Sequence, residues 1–168
     1  RVSEKHTVFI DNVVLEEIET PKVPEVTTGS ELIVNGDFSA GQDGWACNGN
    51  ADFSSKNAVF TISGTTEGNP WDVQLTSSKM TLEEGVSYNL KFKIQSSAAR
   101  EVKFVCADST TYTDLFTSET LSLNENEMVE VDTTVTMNAT AAETGVFQVN
   151  MGNLGNGIPS SIITIDDV

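Results

Sequence analysis

The stretch LEEGVSYNLKFKI, residues 82–94, carries the clearest structural signal in the chain. In its second half Leu90, Phe92 and Ile94 alternate with two lysines, so apolar and polar side chains fall on opposite faces of an extended chain. Gly85 interrupts the one segment that approaches a helical pattern, KMTLEEGVSY, and we interpret that segment as a strand, a turn and a second strand. The stretch therefore predicts an antiparallel strand with one face on a core and the other in solvent.

The same period of two recurs on the C-terminal side of this strand. It is present in EVKFVCA (101–107), VEVDTTVTM (129–137) and GVFQVNMG (145–152), and clusters of Gly, Asn, Ser and Thr separate the runs. No segment shows a sustained apolar stripe at helical spacing. We therefore predict an all-β protein of about nine or ten strands, folded as a two-sheet antiparallel β-sandwich of the jelly-roll type.

The composition narrows the classes of partner. The 168 residues include 9 Lys and Arg against 25 Asp and Glu, which gives a formal net charge of −16. This acidity argues against nucleic acid and anionic membranes, and it suits a secreted protein that meets a neutral polymer or binds cations. The alternative is that the excess of acidic residues serves only to keep the protein soluble. No apolar run approaches the roughly 20 residues that a membrane span needs.

Four motifs occur in a fixed order: ELIVNGDFSAGQDGW (31–45), NPWDVQL (69–75), LEEGVSYNLKFKI (82–94) and ITIDDV (163–168). Together they resemble the jelly-roll carbohydrate-binding modules of families four, nine, sixteen and twenty-two, with family four or sixteen the best match. The resemblance implies a non-catalytic module attached to a secreted polysaccharide-degrading enzyme, with modules often present in tandem copies.

The two ends of the chain nearly repeat each other, since FIDNV (9–13) is close to TIDDV (164–168). Because such modules occur in tandem, we predict that residues 1–17 are the remnant last strand of a preceding module. Residues 18–30 contain two of the four prolines and are predicted to be a linker. The carbohydrate-binding module itself is then residues 31–168. A coincidence between two short β-rich motifs is the alternative.

The aromatic side chains supply the first candidates for a sugar site, because the C–H face of a sugar ring packs on an aromatic ring. Trp71 follows a turn and heads a predicted strand, and by resemblance it matches an aromatic that stacks on sugar. Tyr112 lies in the polar loop DSTTYTDLF and resembles a second stacking aromatic. Core packing is the alternative for Trp71, and an ordinary surface role is the alternative for Tyr112. We expect Trp45 and Tyr88 to pack inside the fold.

Polar side chains between the aromatics would meet the sugar hydroxyls. Strand parity places Gln148 and Asn150 opposite the apolar residues of their strand, on one solvent face. Gln74 opposes its apolar neighbours and resembles a position that hydrogen-bonds to ligand hydroxyls, and Lys103 opposes Phe104 on another strand. For each of these four residues, simple solvation is the alternative. The predicted ligand-binding set is Trp71, Gln74, Lys103, Tyr112, Gln148 and Asn150.

The resemblance also implies a structural calcium ion, far from the sugar groove. Its carried-over ligands would be Asp37 of the NGDF motif, Asp166 of the IDDV motif and a backbone carbonyl near Asn57. Calcium prefers six to eight oxygen ligands, which mix carboxylates with carbonyls. The alternative is that Asp37 forms an Asx-turn while Asp166 faces water.

The remaining residues favour binding over catalysis. Cys47 and Cys106 form either a disulfide or two free thiols, and by resemblance Cys47 lies near a position that borders the groove. The chain has a single His and contains no G-x-S-x-G, H-E-x-x-H or P-loop motif, so we expect no enzymatic activity.

We accordingly predict a secreted or extracellular module that binds β-linked glycan chains, namely β-glucan, xylan or mannan. Its other partners would be a covalently linked catalytic domain and a neighbouring module. The alternative is a structural or adhesive β-sandwich domain of a cell-surface protein.

Overall fold

The computed structural model describes residues 31–168, which are almost entirely extended. The strands of this part of the chain are β1 (Trp45–Asn48), β2 (Asn50–Asp52), β3 (Ala58–Ile62), β4 (Gln74–Ser77), β5 (Met80–Leu82), β6 (Ser87–Ser96), β7 (Arg100–Asp108), β8 (Thr113–Thr117), β9 (Leu121–Leu123), β10 (Met128–Thr136), β11 (Ala141–Asn150) and β12 (Ser161–Asp166). One 3-10 turn, Pro70–Asp72, is the only helical segment among the described residues.

The strands form two antiparallel sheets. The first sheet has seven strands in the order β1-β4-β11-β7-β8, with β5 also paired to β11 and β9 to β7. The second sheet has five strands in the order β10-β6-β12-β3-β2. The predicted two-sheet antiparallel β-sandwich is confirmed. The structure has twelve strands where the sequence predicts about nine or ten, because strands of three residues such as β2 and β9 are too short to show a period.

The core lies between the sheets and is built from the alternating residues that the sequence predicts. On β6, Leu90, Phe92 and Ile94 are buried, while the strand pairs along nearly its whole length with β10. The ring of Phe92 meets Phe104 edge-on at 5.4 Å between centroids, and it lies 5.7 Å from Phe147. These two contacts join the second sheet to β7 and β11 of the first sheet, so the aromatic rings hold the two layers together.

Strand β7 departs from simple alternation. Phe104 and Cys106 face the core as predicted, but Val105 and Ala107 on the opposite face are also buried, at 4% and 5% exposed. Surrounding side chains cover this outer face, which indicates a depression on the first sheet.

The predicted remnant strand (1–17) and linker (18–30) lie outside the described residues. Within the described part of the chain, no helix is long and apolar enough to cross a membrane.

Candidate functional site

A groove of about 1210 Å³ runs over the outer face of the first sheet. All six side chains predicted to bind ligand line this groove: Trp71, Gln74, Lys103, Tyr112, Gln148 and Asn150. The structure thus brings together residues from three strands, a turn and a loop that are up to 79 positions apart, as from Trp71 to Asn150. Their role as ligand contacts stays a prediction.

A row of polar side chains crosses the groove floor. Strand register places Asn48 opposite Gln74, Gln74 opposite Asn150, and Asn150 opposite Lys103. Because neighbouring strands lie about 4.8 Å apart, this row spans roughly 14 Å. One sheet therefore presents three amides and one ammonium group in a line.

A second row lies two residues further along the strands. There Thr76 is opposite Gln148, Gln148 is opposite Val105, and Val105 is opposite Thr117. Val105, together with Ala107 beyond it, makes a small apolar strip in an otherwise polar floor. The floor therefore offers both hydrogen-bonding groups and an apolar surface.

The amides of the floor hydrogen-bond to one another. Gln74 Nε2 donates to Asn150 Oδ1 at 2.7 Å, and Gln74 Oε1 accepts from Thr76 Oγ1 at 3.1 Å. Gln148 Nε2 lies 3.4 Å from the same Gln74 oxygen. Gln74 is thus the centre of a network that orders the floor.

Trp71 stands at one corner of the groove on the 3-10 turn. Its side chain is 54% exposed, and its carbonyl accepts a 3.0 Å hydrogen bond from Asn48 Nδ2. The turn is closed at its start, where Asn69 N–H donates to Asp72 Oδ2 at 2.8 Å. The sequence predicts that Trp71 heads a strand, but the strand begins three residues later, since Pro70 has the fixed backbone angle that starts a helical turn.

Tyr112 stands at the opposite corner, on the loop between β7 and β8. It is 88% exposed and has a positive φ of 56°. Asp108 holds this loop, because its Oδ1 accepts from the N–H groups of Thr110 (2.7 Å) and Thr111 (3.2 Å). The backbone hydrogen bond from Thr110 is the main reason that the pKa of Asp108 lies below its ordinary value. Strand spacing and rise put Gln74 and Asp108, the strand residues next to the two aromatic corners, roughly 20 Å apart.

The charged side chains of the groove are mainly acidic. Glu101, Asp108 and Asp114 line it together with Lys103. The salt bridges among the described residues lie elsewhere, on the second sheet and at the C-terminal end of β12. The groove therefore carries the same sign of charge as the molecule as a whole.

Sequence reasoning missed several residues that line the groove. They are Asn48, Pro70, Glu101, Val105, Ala107, Asp108, Ser109, Asp114, Thr117, Thr120, Leu154 and Asn156. For Asn48 the sequence does hold a signal. Since Trp45 is expected in the core, the alternation of β1 puts Cys47 on the core side and Asn48 on the outer face of the sheet.

Trp45 and Tyr88 pack in the fold as predicted, Trp45 buried and Tyr88 half-buried against the core, whereas the expectation for Cys47 is wrong. Trp45 is 6% exposed and its Nε1 donates to the Asn35 carbonyl at 2.9 Å, while the Tyr88 hydroxyl accepts from the Glu83 N–H at 3.0 Å. Cys47 does not border the groove, because it shares the face of Trp45 and packs against the core.

Comparison with protein-family models identifies the family to which this fold belongs. The family model CBM_4_9, a carbohydrate binding domain, matches residues 30–161. The chain belongs to this family. The module is therefore a carbohydrate-binding unit and not an enzyme by itself. No curated protein sequence matches the chain.

Solved structures give the same fold. The N-terminal cellulose-binding domain of Cellulomonas fimi β-1,4-glucanase C superposes with a TM-score of 0.65 at 20% identity, over 83% of this chain and 95% of that domain. The second N-terminal cellulose-binding domain of that glucanase gives 0.61 at 20% identity, over 84% and 96%. A CBM4 structure gives 0.62 at 21% identity, over 78% and 96%. At these identities the likeness shows the jelly-roll fold.

The predicted calcium ligands of the module lie at one end of the sandwich. Asn57 precedes β3 and Asp166 ends β12, and these antiparallel partners bring the two residues side by side. Asp37 follows Gly36, whose carbonyl accepts a 3.0 Å hydrogen bond from the Val168 N–H. The fold therefore gathers the three predicted positions.

Two of the three predicted calcium ligands already accept hydrogen bonds from neighbouring residues. Asp37 Oδ1 accepts from Ser39 N–H at 3.1 Å and from Ser39 Oγ at 2.9 Å, and these bonds lower the pKa of Asp37. Asp166 Oδ1 accepts from the Asp167 N–H at 2.9 Å. Asn57 Oδ1, by contrast, is buried without a hydrogen-bond partner among the described residues.

Nowhere in residues 31–168 are three or more His, Cys, Asp or Glu side chains grouped to hold a metal. The buried Asn57 Oδ1 is an oxygen of the kind that binds calcium. The calcium site stays a prediction.

The structure resolves the alternatives left open for the cysteines. Both Cys47 and Cys106 are free thiols. Burial raises the pKa of the Cys106 thiol to about 12, which makes it a structural side chain of the core.

Proposed function

We propose that the module binds β-linked polysaccharide chains, such as β-glucan, xylan or mannan, in the groove of the first sheet. The observation that most supports this is the placement of two exposed aromatic rings, Trp71 and Tyr112, at opposite corners of a floor lined with amides. A groove of this length suits a chain of several sugar units.

Each part of the groove has a role in this proposal. The rings of Trp71 and Tyr112 stack on the apolar faces of sugar units. Gln74, Gln148 and Asn150 exchange hydrogen bonds with hydroxyl groups between the platforms, since amides offer both donors and acceptors. Each such contact contributes about 0.5–1.5 kcal/mol, so we expect affinities around micromolar or weaker once ordering of the oligosaccharide is included.

The charge of the groove favours uncharged glycans. Glu101, Asp108 and Asp114 repel the carboxylates of uronic acid polymers, and Lys103 is the one basic side chain among the described residues that line the groove. Neutral glucans, xylans and mannans avoid this repulsion.

We further propose that the module belongs to a secreted polysaccharide-degrading enzyme and keeps that enzyme on its substrate. Two domains of the same fold are cellulose-binding domains of a β-1,4-glucanase. Non-catalytic binding in an open groove is the property that such an attachment needs.

Affinity electrophoresis in gels that contain soluble β-glucan, xylan, glucomannan or a uronic acid polymer tests the ligand class. We expect one or more neutral polymers to retard the protein, and Trp71→Ala or Tyr112→Ala to reduce the retardation. Ile162→Ala is the matched control, because Ile162 is a similarly exposed apolar residue on the second sheet, at 49%. A protein that no glycan retards would favour the structural or adhesive domain, and stronger retardation by the uronic acid polymer would refute the charge argument.

We also propose that the module holds one structural calcium ion, with oxygens from Asp37, Asn57 and Asp166 as ligands. The support is the convergence of the three positions and the buried Asn57 Oδ1, which has no hydrogen-bond partner among the described residues. The ion would stabilise the end of the sandwich and take no part in sugar binding. At a calcium concentration of 100 times Kd, binding adds about 2.7 kcal/mol to the unfolding free energy.

Thermal melting with calcium and with EGTA tests the ion. The midpoint should rise in calcium for the wild-type protein and for Asp132→Asn, which removes an exposed carboxylate on the second sheet. It should rise less for Asn57→Ala and Asp166→Asn. An unchanged wild-type midpoint would discard the metal.

A further inference from the structure

Arg100 is a buried arginine without a carboxylate partner among the described residues. Its side chain lies at the start of β7, is 6% exposed, and makes neither of the two salt bridges found in this part of the chain. Burial lowers its pKa to about 10. Burying a cation costs free energy unless the cation is paired or hydrogen-bonded. The hydrogen-bond partners of Arg100 therefore indicate which parts of the fold this side chain holds together.

The guanidinium of Arg100 joins the ends of two other strands. Nη1 donates to Ser161 Oγ at 2.9 Å, and Nη2 donates to the Met151 carbonyl. Nε has no partner among the described residues. Ser161 begins β12 and Met151 directly follows β11, so the side chain grips the two ends of the connection between these strands.

The peptide that Arg100 holds is attached on its other side to the turn that carries Trp71. The Met151 N–H donates to the Val73 carbonyl at 2.8 Å, and the Gly152 N–H donates to the Pro70 carbonyl at 2.8 Å. These two hydrogen bonds bracket Trp71, since Pro70 precedes it and Val73 lies two residues after it.

The backbone at Gly152 packs closely against the turn that carries Trp71. A Cβ atom on Gly152 would lie 2.7 Å from the Pro70 carbonyl oxygen and in severe overlap with the Asn69 carbonyl oxygen. The backbone of 151–152 therefore lies directly against the turn, and a shift of the one requires a shift of the other.

We propose that Arg100 is a positioning residue for ligand binding, which fixes the Trp71 ring at the corner of the groove by way of the Met151–Gly152 backbone. The inference rests on the proposed stacking role of Trp71. A planar guanidinium suits the task, because it points two donors at two fixed oxygens at once, whereas an ammonium group is a single point of charge.

A purely structural role for Arg100 makes a different prediction. If Arg100 only ties the two sheets together through Ser161, its removal weakens the fold as a whole and acts on the groove independently of Trp71. Two effects that act through one side chain are not additive, whereas independent effects add.

A double-mutant cycle separates the two roles. Titration calorimetry with an oligosaccharide of the polymer that retards the protein gives the affinity of wild type, Trp71→Ala, Arg100→Met and the double variant. We expect Trp71→Ala to weaken binding about tenfold and Arg100→Met about three- to tenfold. In the Trp71→Ala background, Arg100→Met should change affinity less than about twofold. Equal losses in both backgrounds would overturn the proposal.

Acrylamide quenching of tryptophan fluorescence provides a readout without ligand. Trp45 is buried and Trp71 is half exposed, so the quenchable emission reports on Trp71. Arg100→Met should alter this quenching. Lys91→Met, which removes an exposed cation on the second sheet, is the control and should leave it unchanged. Unaltered quenching in the Arg100 variant would refute the positioning role.

If Arg100→Met fails to fold, Arg100→Lys replaces it in the double-mutant cycle and in the quenching measurement. The lysine keeps the positive charge and loses the paired donors of the guanidinium. If Trp71→Ala binds like wild type, the proposed stacking role fails, whereas the quenching result still decides whether Arg100 positions Trp71.

Discussion

Gly152→Ala tests the close contact beneath the Trp71 turn. The new methyl group would lie 2.7 Å from the Pro70 carbonyl oxygen and even closer to that of Asn69, so the two backbones must separate by about 1 Å. That shift breaks or lengthens the hydrogen bond from the Gly152 N–H to Pro70. Overpacking of this kind costs about 1–3 kcal/mol, which lowers the melting midpoint by about 3–10 °C.

Ligand binding should fall together with stability in this variant. Because the displaced turn carries Trp71, we expect Gly152→Ala to lose about as much affinity as Trp71→Ala, roughly tenfold. Calorimetric titration gives the affinity and a thermal scan gives the midpoint.

Gly85→Ala is the matched control for this prediction. Gly85 has a φ of 74°, and nothing lies within 4 Å of the position that an added methyl group would take, so the variant tests backbone strain in open space, away from the groove. It should lose stability by about 1 kcal/mol and keep its affinity. A Gly152→Ala protein that binds as well as Gly85→Ala would refute the proposed coupling between the β11–β12 connection and the Trp71 turn.

Three other predictions concern stability and reactivity. The lowered pKa of Asp108, caused chiefly by the Thr110 N–H, means that this carboxylate stabilises the fold above its unfolded pKa near 3.8 and loses that effect as the pH falls through its folded value. Melting midpoints from pH 6 to pH 2 should therefore decline less for Asp108→Asn than for wild type, and parallel curves would contradict this. The thiol of Cys106, with its pKa raised to about 12, should react with iodoacetamide at pH 8 only after unfolding; peptide mass spectrometry of the labelled native protein checks this, and native labelling would contradict it. Phe147→Ala should remove about 3–5 kcal/mol from the unfolding free energy in urea, because Phe147 is 2% exposed and packs on Phe92, and a loss below about 1 kcal/mol would place the core elsewhere.

The side of a strand on which a residue lies is a local property, and it could be predicted from the sequence. Gln148 and Asn150 alternate with buried residues on β11, and Gln74 adjoins the fully buried Leu75, so parity alone assigns them to the outer face. The exposure of Tyr112 follows from the polar loop around it in the same way.

The order of strands in the sheet is a nonlocal property, and the alternation pattern could not predict it. Asn48 belongs to the groove because β1 pairs with β4, and Glu101 and Asn156 approach each other to 3.4 Å only because β7 lies near the β11–β12 connection. Such contacts join residues separated by 26 to 55 positions, whereas alternation reports only on immediate neighbours.

The hydrogen bonds within the groove floor can make a small number of ligand contacts selective. Gln74 already orients Asn150 and is itself oriented by Thr76, so these side chains are held in place before a glycan arrives. Holding a free side chain on binding costs about 0.5–1.5 kcal/mol, a cost that such prior ordering reduces. An amide has two donor hydrogens and an acceptor oxygen with two lone pairs, so each keeps hydrogen-bonding capacity for sugar hydroxyls after its contacts within the floor are made. The directions of that remaining capacity are set by the network, and a glycan whose hydroxyls do not match them leaves polar groups unpaired. Selectivity among neutral glycans therefore depends on the network as a unit more than on any one amide.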